Sequence, residues 1–366
     1  MLRTESTEAA EVPDISGLAA EALLGRAEVR FDREALASVL GGRRLLVSGA
    51  GGSVGSFLST FLASLGPASL VVLDSHEPSL FHLRARLLER YPDVAYRWVL
   101  ADVRDERKLA ALFRETRPDV VFHLAAYKHV PLAEENVDQA IAVNVLGAQS
   151  VARAAAATGA TVVYPSTDKA VRPPSIYGAT KRLVERYLLE EAVGPSRLST
   201  RIVRLVNVAG SQGSVVETFA RQIRAGQPIT VTDSRMTRYW MTVGETCGLL
   251  GWAAVEAEAV GPYVIRAGDP VPIEETAKRL HRLLGVREPL VIRHVGIRPG
   301  ERLYEELAYD YESIVETRHP GVSWIRDDRP ESGRDPEYRR QLDGILDGLY
   351  SLDRAELRRR LFDLAG

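Results

Sequence analysis

The sequence predicts an α/β fold: a doubly wound parallel sheet with helices on both faces and a smaller C-terminal α/β lobe. Three observations predict it. Short, almost continuously apolar runs alternate with helical segments through much of the chain, the mark of parallel strands covered on both faces. A glycine-spaced turn stands between the first apolar run and the helix after it. The composition is ordinary for a globular chain: of 366 residues, 45% are hydrophobic and 26% charged. That excludes collagenous, coiled-coil and disordered chains, and the length suits one large domain or two coupled lobes.

The elements follow in order. Residues 1–16 are polar and acidic, have no apolar signal-peptide core, and read as a loose tail. Ile15 to Leu40 holds two short helical patterns around the extended run AEVRF. Apolar strands are then expected at Arg44–Ser48, Ser69–Asp74, Tyr96–Leu100, Asp119–His123, Thr161–Pro165 and Arg201–Val206. The helices between them are Val54–Leu65, Pro78–Arg90, Glu106–Thr116, Val137–Thr158 and Ser175–Glu191. Right-handed crossovers make this a doubly wound sheet. After Asn207 the alternation gives way to Gly-rich and polar clusters. A helix Gly244–Glu258, a strand Pro262–Arg266, a helix Ile273–Leu284, a strand Leu290–His294 and the loop GIRPGERL follow. Pro336–Leu364 has the pattern of two Arg-rich amphipathic helices.

This reading divides the chain into an N-terminal extension (1–40) and a dinucleotide-binding domain (41–208, with 241–266 returning to it). A smaller lobe (209–240 and 267–330) and C-terminal helices (331–366) complete it. Lys plus Arg number 47 against 49 Asp plus Glu, a net charge of -2. So even a balance excludes a nucleic-acid footprint but leaves room for a basic phosphate pocket. The single cysteine, Cys247, excludes internal disulfides and Cys-based metal centres. Apolar stretches are read as stopping short of the ~20 residues a membrane helix needs, so the expected setting is the cytoplasm, with no membrane partner.

Gly49, Gly52 and Gly55 form GxxGxxG directly after the first strand. The first permits the tight turn, the second lets the backbone approach a pyrophosphate, and the third allows close helix–strand packing. Ser53 and Val54 begin the helix whose N-terminal dipole favours phosphate. Asp74 ends the second strand, where an acid accepts ribose hydroxyls; no Arg follows it at Ser75, which favours NAD over NADP. Asp102 and Val103 border the adenine, and the small Ala125 and Ala126 let the cofactor lie flat over the sheet edge.

Tyr177 and Lys181 stand four apart, on one face of a helix. A neighbouring ammonium lowers a phenol's pKa, so the pair can remove a proton from a sugar hydroxyl. They follow a strand ending in Pro165-Ser166-Thr167-Asp168-Lys169, at the sheet edge where ligands bind. Ser166 or Thr167 can hydrogen-bond substrate. Asp168 and Lys169 are an adjacent acid and base that a plain dehydrogenase does not need, so they suggest elimination. Lys128 and His129 face the cleft or bind phosphate, no ligand spacing supports a metal, and Asn144 can satisfy a backbone group near the site.

These residues resemble the extended short-chain dehydrogenase/reductases, and within them the nucleotide-sugar 4,6-dehydratases of polysaccharide biosynthesis, which act on UDP-N-acetylglucosamine. The matching stretches are GAGGSVGS (49–56), FHLAAYKHVPLAEEN (122–136), STDKAVRP (166–173) and YGATKRLVE (177–185). RLVNVAGSQGSV (204–215), ITVTDSRMTRYWMT (229–242) and GIRPGERLYEEL (296–307) continue the likeness. LLGRAEVRF (23–31) is similar to the run-in to the soluble domain of membrane-anchored members, and no anchor is expected here. The resemblance implies a Rossmann domain holding NAD, with Tyr177 as base while carbon 4 is oxidised. It implies Lys169 removing the carbon 5 proton, Asp168 protonating the carbon 6 hydroxyl, and a 4-keto-6-deoxy product. It also implies substrate contacts from Lys128, Asn207, Arg238, Arg298 and Glu301, a UDP-linked sugar, and a homo-oligomer, dimer or hexamer. The C-terminal helices, Val137–Thr158 and Ser175–Glu191 are the expected contact faces between copies. Tyr177 matches the soluble members that invert carbon 5, whereas the anchored ones carry Met. A nucleotide-sugar epimerase, with Asp168 and Lys169 idle, and a non-catalytic dinucleotide sensor are the alternatives.

Overall fold

The structure, a computed structural model, describes residues 20–196, 198–256, 261–329 and 335–366. The loose tail expected at 1–16 lies outside them. Nine strands make the main sheet: β1 (Arg44–Ser48), β2 (Ser69–Asp74), β3 (Tyr96–Leu100), β4 (Val120–His123), β5 (Thr161–Thr167), β6 (Thr200–Leu205), β7 (Pro262–Ile265), β8 (Glu312–Glu316) and β9 (Val322–Asp327). Their order across the sheet is β8-β9-β7-β6-β5-β4-β1-β2-β3. β1 to β7 pair in parallel, as the apolar runs predict, and β9 and β8 close one edge antiparallel. β1 lies between β2 and β4, so the strand order reverses there and a crevice opens beyond the strands' carboxyl ends.

The pleat sorts side chains between two cores. Leu45, Val47, Leu70 and Val72 face the helices Ser53–Ala63 and Val243–Val255. Leu46, Val71 and Leu73 face the helices between Val137 and Val193. Each fully buried Leu or Val contributes roughly 1.5–3 kcal/mol, which is why these strands hold the site's floor rigid.

The helical run Val137–Thr158 is 22 residues long and apolar enough to cross a membrane. That corrects the expectation that no stretch reaches such a length. Its apolarity has another cause: 78% of its most apolar window is buried against the sheet and its neighbouring helices. One turn of it, Ala142–Leu146, is widened into a π-helix, a feature often found at functional sites.

Two expectations about the C-terminal third change. The stretch 267–330, expected whole in the smaller lobe, contributes β8 and β9 to the main sheet. Val322 and Ile325 are buried there, and the unpaired edge of β7 supplies the template. The helices Pro336–Asp347 and Arg354–Ala365 lay Tyr338, Leu342, Ile345, Leu357 and Leu361 onto the core containing Ile176–Val193. The faces proposed for contact between copies therefore pack substantially on one another within one chain.

The smaller lobe has its own core of Val216, Phe219, Ile223, Ile229, Trp240, Ile273 and Leu280. Residues 20–40 strap the two parts together. Leu23 and Leu24 join the lobe's core, while Leu36 and Leu40 join that of the main sheet. Between them the Arg26 guanidinium donates twice to the Glu245 carboxylate, at 2.6 and 3.0 Å.

Candidate active site

A cleft of about 650 Å³ lies over the carboxyl ends of β1, β4, β5 and β6, and a second pocket of about 290 Å³ continues it past β2. Gly49, Gly52, Ala126, Tyr127 and Gln212 line both, so the two form one groove. Gly49, at φ 69°, turns the chain out of β1 where a Cβ would meet the Ala125 backbone at 2.5 Å. A Cβ on Gly55 would meet the Gly49 carbonyl oxygen at 2.0 Å. The turn therefore packs backbone on backbone.

The helix Ser53–Ala63 that follows has no side-chain cap and no acid in its first turn. Its N-terminal N–H groups point into a cradle suited to a phosphate. Asp74 and Ser75 at the end of β2, and Asp102 and Val103 after β3, line the smaller pocket with Ala125. The Asp74 carboxylate accepts from the Gly51 and His76 amides at 2.7 and 2.8 Å, which fixes it at the rim of the glycine turn. Asp102 is held bidentately by Arg104. These residues fit a dinucleotide: an uncapped helix end for its phosphates and a fixed carboxylate for a ribose.

Asn144 sits in the widened π turn. Its amide accepts from the Tyr127 N–H at 2.7 Å and donates to the Tyr127 carbonyl at 3.0 Å and to Thr180 at 3.0 Å. One side chain thus satisfies both backbone groups of the residue where β4's extension enters the groove, as expected from the sequence.

β5 runs two residues beyond its predicted end, through Ser166 and Thr167. Thr167, Lys169, Tyr177, Lys181, Lys128 and Asn207 all line the larger cleft. Asp168 does not: its side chain is 0% exposed. It accepts from the Thr167 hydroxyl at 3.0 Å and from the Lys169 ammonium at 2.9 Å, so two cleft residues stand in front of it. Arg238 is also withdrawn. Its guanidinium donates to the carbonyls of Thr237, Leu303 and Arg302 at 2.7, 3.2 and 2.9 Å, and it is absent from the cleft lining. Arg298 and Glu301 lie outside the cleft lining too, with Glu301 accepting from the Arg298 amide at 3.3 Å.

The electrostatics differ from the sequence reading in one respect. Tyr177's phenol is raised, chiefly by burial; the ammonium that opposes this is that of Lys169, helped by a hydrogen bond with Thr167. Lys181 instead donates to the Pro165 carbonyl at 2.8 Å and lies 4.4 Å from the centre of the Tyr164 ring. Burial pulls Lys181 down to about 7, against the attraction of Glu185. Behind it His123 bonds Ser48 at 2.7 Å, and burial followed by Lys181's charge pushes it down to about 3. His123 is therefore neutral in the working range.

An unfolded lysine keeps its proton to about pH 10.4, whereas buried Lys181 releases it near 7. Between those values the unfolded chain binds more protons, so stability rises with pH. Lys181→Met is expected to flatten that slope. It should melt no lower than the parent at pH 7, while turnover falls about 10²–10⁴-fold. Melting curves from pH 6 to 10 beside a turnover assay check it; a lower melting point for the Met variant at pH 7 would contradict the argument.

Two acids behind the site escaped the sequence reading. Glu185 lies one and two turns beyond Lys181 and Tyr177 on the same helix face, a spacing legible in principle. It pairs with the fully buried Arg204 at 2.9 Å, and Arg204 pairs with Glu312 at 2.7 Å. Glu305 comes from the segment after the Pro-Gly turn, and its Oε1 lies 3.4 Å from the Lys169 ammonium. No local pattern distinguishes it from Glu306 beside it.

The model of a family described as polysaccharide biosynthesis protein matches residues 45–327. The probable polysaccharide biosynthesis protein EpsC of Bacillus subtilis is 38% identical over 95% of this chain, which spans 57% of that relative's length. The inverting UDP-N-acetylglucosamine 4,6-dehydratase of Campylobacter jejuni (strain 81-176) is 30% identical over 74% of this chain and 81% of its own. A UDP-glucose 4-epimerase of Rickettsia prowazekii is 31% identical over 81% of this chain and 85% of its own. Among solved structures, Pen from Bacillus thuringiensis superposes with a TM-score of 0.69 at 27% identity, covering 84% of this chain and 98% of its own.

Proposed function

This chain belongs to the polysaccharide biosynthesis protein family of extended short-chain dehydrogenase/reductases, and from that premise we propose that it is an NAD-dependent nucleotide-sugar 4,6-dehydratase acting on UDP-N-acetylglucosamine or a close relative. The observation that carries the reading is a cleft lined by Tyr177, Lys181 and Lys169, with the Asp168 carboxylate held against the Lys169 ammonium at 2.9 Å. Tyr177 and Lys181 come from a helix and Lys169 from the turn after β5, with Asp168 buried directly behind Thr167 and Lys169.

The uncapped turn Gly52–Val54, with Asp74 and Lys181, would hold the dinucleotide, which supplies hydride acceptance from carbon 4 and return to carbon 6. Asp74 favours NAD, since a carboxylate repels the extra phosphate of NADP. Tyr177, as the phenolate that the Lys169 ammonium and the Thr167 hydrogen bond favour, takes the proton from the carbon 4 hydroxyl. The ketone so formed acidifies the carbon 5 proton, and Lys169, as a neutral amine, removes it. The proton for the departing carbon 6 hydroxyl comes from Asp168 by way of the Thr167 hydroxyl, which touches both Asp168 and the cleft. Lys128 and Asn207 face the sugar and its diphosphate. Arg238, Arg298 and Glu301 remain proposed substrate contacts on the resemblance alone, and would need movement of their segment toward the cleft.

Proton NMR with UDP-N-acetylglucosamine and NAD in deuterated water tests this. The expected result is a new carbon 6 methyl signal with deuterium at carbon 5, whose coupling gives retention or inversion. The epimerase reading, favoured by the full burial of the Asp168 side chain, predicts a carbon 4 epimer without a methyl signal. An unchanged substrate, across a panel of nucleotide sugars, would sink both.

A further inference from the structure

Lys169 has a partner that the resemblance does not supply. Its ammonium lies 2.9 Å from Asp168 Oδ1, 3.4 Å from Glu305 Oε1 and 3.5 Å from Asn207 Oδ1. The side chains of Asp168 and Glu305 are 0% and 2% exposed, that of Lys169 21%. Asp168 Oδ2 and Glu305 Oε2 are buried without a hydrogen-bond partner among the described residues. Such atoms are costly unless a function retains them. Glu305 is also held deliberately. Arg302 donates to the Val171 carbonyl at 3.0 Å and the Tyr309 hydroxyl to that of Ala170 at 3.1 Å, so the chain either side of Glu305 is tied to the turn that follows Lys169. Arg238 Nε lies 3.4 Å from the same Glu305 oxygen.

We propose that Glu305 is a positioning residue for the acid–base pair: its carboxylate, balanced by Arg238, holds the Lys169 ammonium against Asp168 and sets the charge state in which the pair waits for substrate. The inference rests on the dehydratase reading for its purpose, but not for its test. The four charges, Asp168, Lys169, Glu305 and Arg238, cancel. Passing one proton from Lys169 Nζ to the Asp168 carboxylate leaves a neutral amine and a neutral acid, the two forms elimination requires, while Glu305 and Arg238 still neutralise each other. No charge enters or leaves the cluster. This also gives the withdrawn Arg238 a use.

The groups facing Lys169 are Asp168 on its own turn, Glu305 and Arg238 from the opposing segments, Tyr177 from the helix and the neutral Asn207. Burial alone would lower Lys169, but Asp168 and then Glu305 overcome it and hold its ammonium well above the ordinary range. Burial first, then Asp168, raises Glu305 against the pull of Lys169 and Arg238.

The test compares wild type, Glu305→Gln and Glu305→Asp by NMR of ¹⁵N-lysine-labelled protein, with Lys169→Ala assigning the resonance. Glu305→Gln is expected to move the Lys169 titration down by at least one pH unit, and Glu305→Asp to restore most of that shift. Solvent exchange at carbon 5 should show its rising limb displaced to lower pH by the same amount, with KM nearly unchanged. An Lys169 titration indistinguishable between wild type and Glu305→Gln overturns the proposal, even where the variant melts lower. If wild type shows no carbon 5 exchange, the dehydratase reading fails while the titration still decides the role of Glu305.

Discussion

Lys169→Ala is expected to abolish dehydration, lowering turnover by at least about 10³-fold, within the range one acid–base group supplies. The enzyme should nevertheless still oxidise carbon 4. Tyr177 and Lys181, which the proposed mechanism assigns to that step, sit on their own helix, and Lys181's donor bond goes to Pro165 rather than to Lys169. The signature is therefore a split. Substrate added to the variant with NAD gives the near-ultraviolet absorbance of reduced nicotinamide, but no deuterium at carbon 5 and no methyl signal. The Lys169 ammonium also opposes the burial that raises Tyr177. Losing it should move the rising limb of the oxidation step to higher pH. A variant that retained carbon 5 exchange would remove Lys169 from the mechanism, whereas one that still epimerised carbon 4 would return the site to an epimerase.

Arg204→Ala is expected to have the largest effect on stability, about 3–5 kcal/mol. Arg204 is fully buried and joins Glu185 of the Tyr177 helix to Glu312 at the start of β8, while also donating to the Leu307 carbonyl at 3.0 Å. Removing it strands two carboxylates in the core. Against a total stability of about 5–15 kcal/mol, that lowers the melting point by about 4–7 °C. Burial alone would push the Glu185 carboxyl up, but the guanidinium groups of Arg204 and Arg182 hold it below its usual range. The contribution of that pairing is accordingly complete above the unfolded value of about 4.3 and is lost as acid titrates the folded carboxylate. The parent and Arg204→Ala should therefore differ most near neutrality and converge in acid. Adding Glu185→Gln and Glu312→Gln to Arg204→Met should recover part of the loss, since neutral amides no longer demand a counter-charge. Calorimetry across pH checks both statements, and an Arg204→Ala protein as stable as the parent at pH 7 would refute them.

The network also explains how the smaller elements stay aligned with the chemistry. Arg204 couples the helix bearing Tyr177 and Lys181 to the segment that runs from Glu305 into β8. Arg182 adds a second tie, donating to the Tyr311 hydroxyl at 2.9 Å and lying 4.6 Å from the Tyr309 ring centre. A small shift in that segment would move Glu305 relative to Lys169.

What the sequence determined by itself was whatever contiguous residues encode. Alternating apolar runs located β1 to β7, because a strand buried on both faces must be apolar along its whole length. Gly49 and Gly55 announced a turn too tight for a Cβ, and four-residue spacing put Tyr177 and Lys181 on one helix face. Asn144 was legible as a backbone partner, though not as the occupant of a π turn. The antiparallel edge β8–β9 was not, since Val322–Asp327 is short, half polar and becomes a strand only by pairing with β7. Only the tertiary structure decided the electrostatics. Whether Tyr177 feels Lys169 or Lys181, whether Asp168 meets the cleft, and which of two adjacent glutamates reaches Lys169 depend on distances of a few ångströms between segments far apart in the chain. Coulomb energy and desolvation vary steeply over such distances, and no local pattern records them.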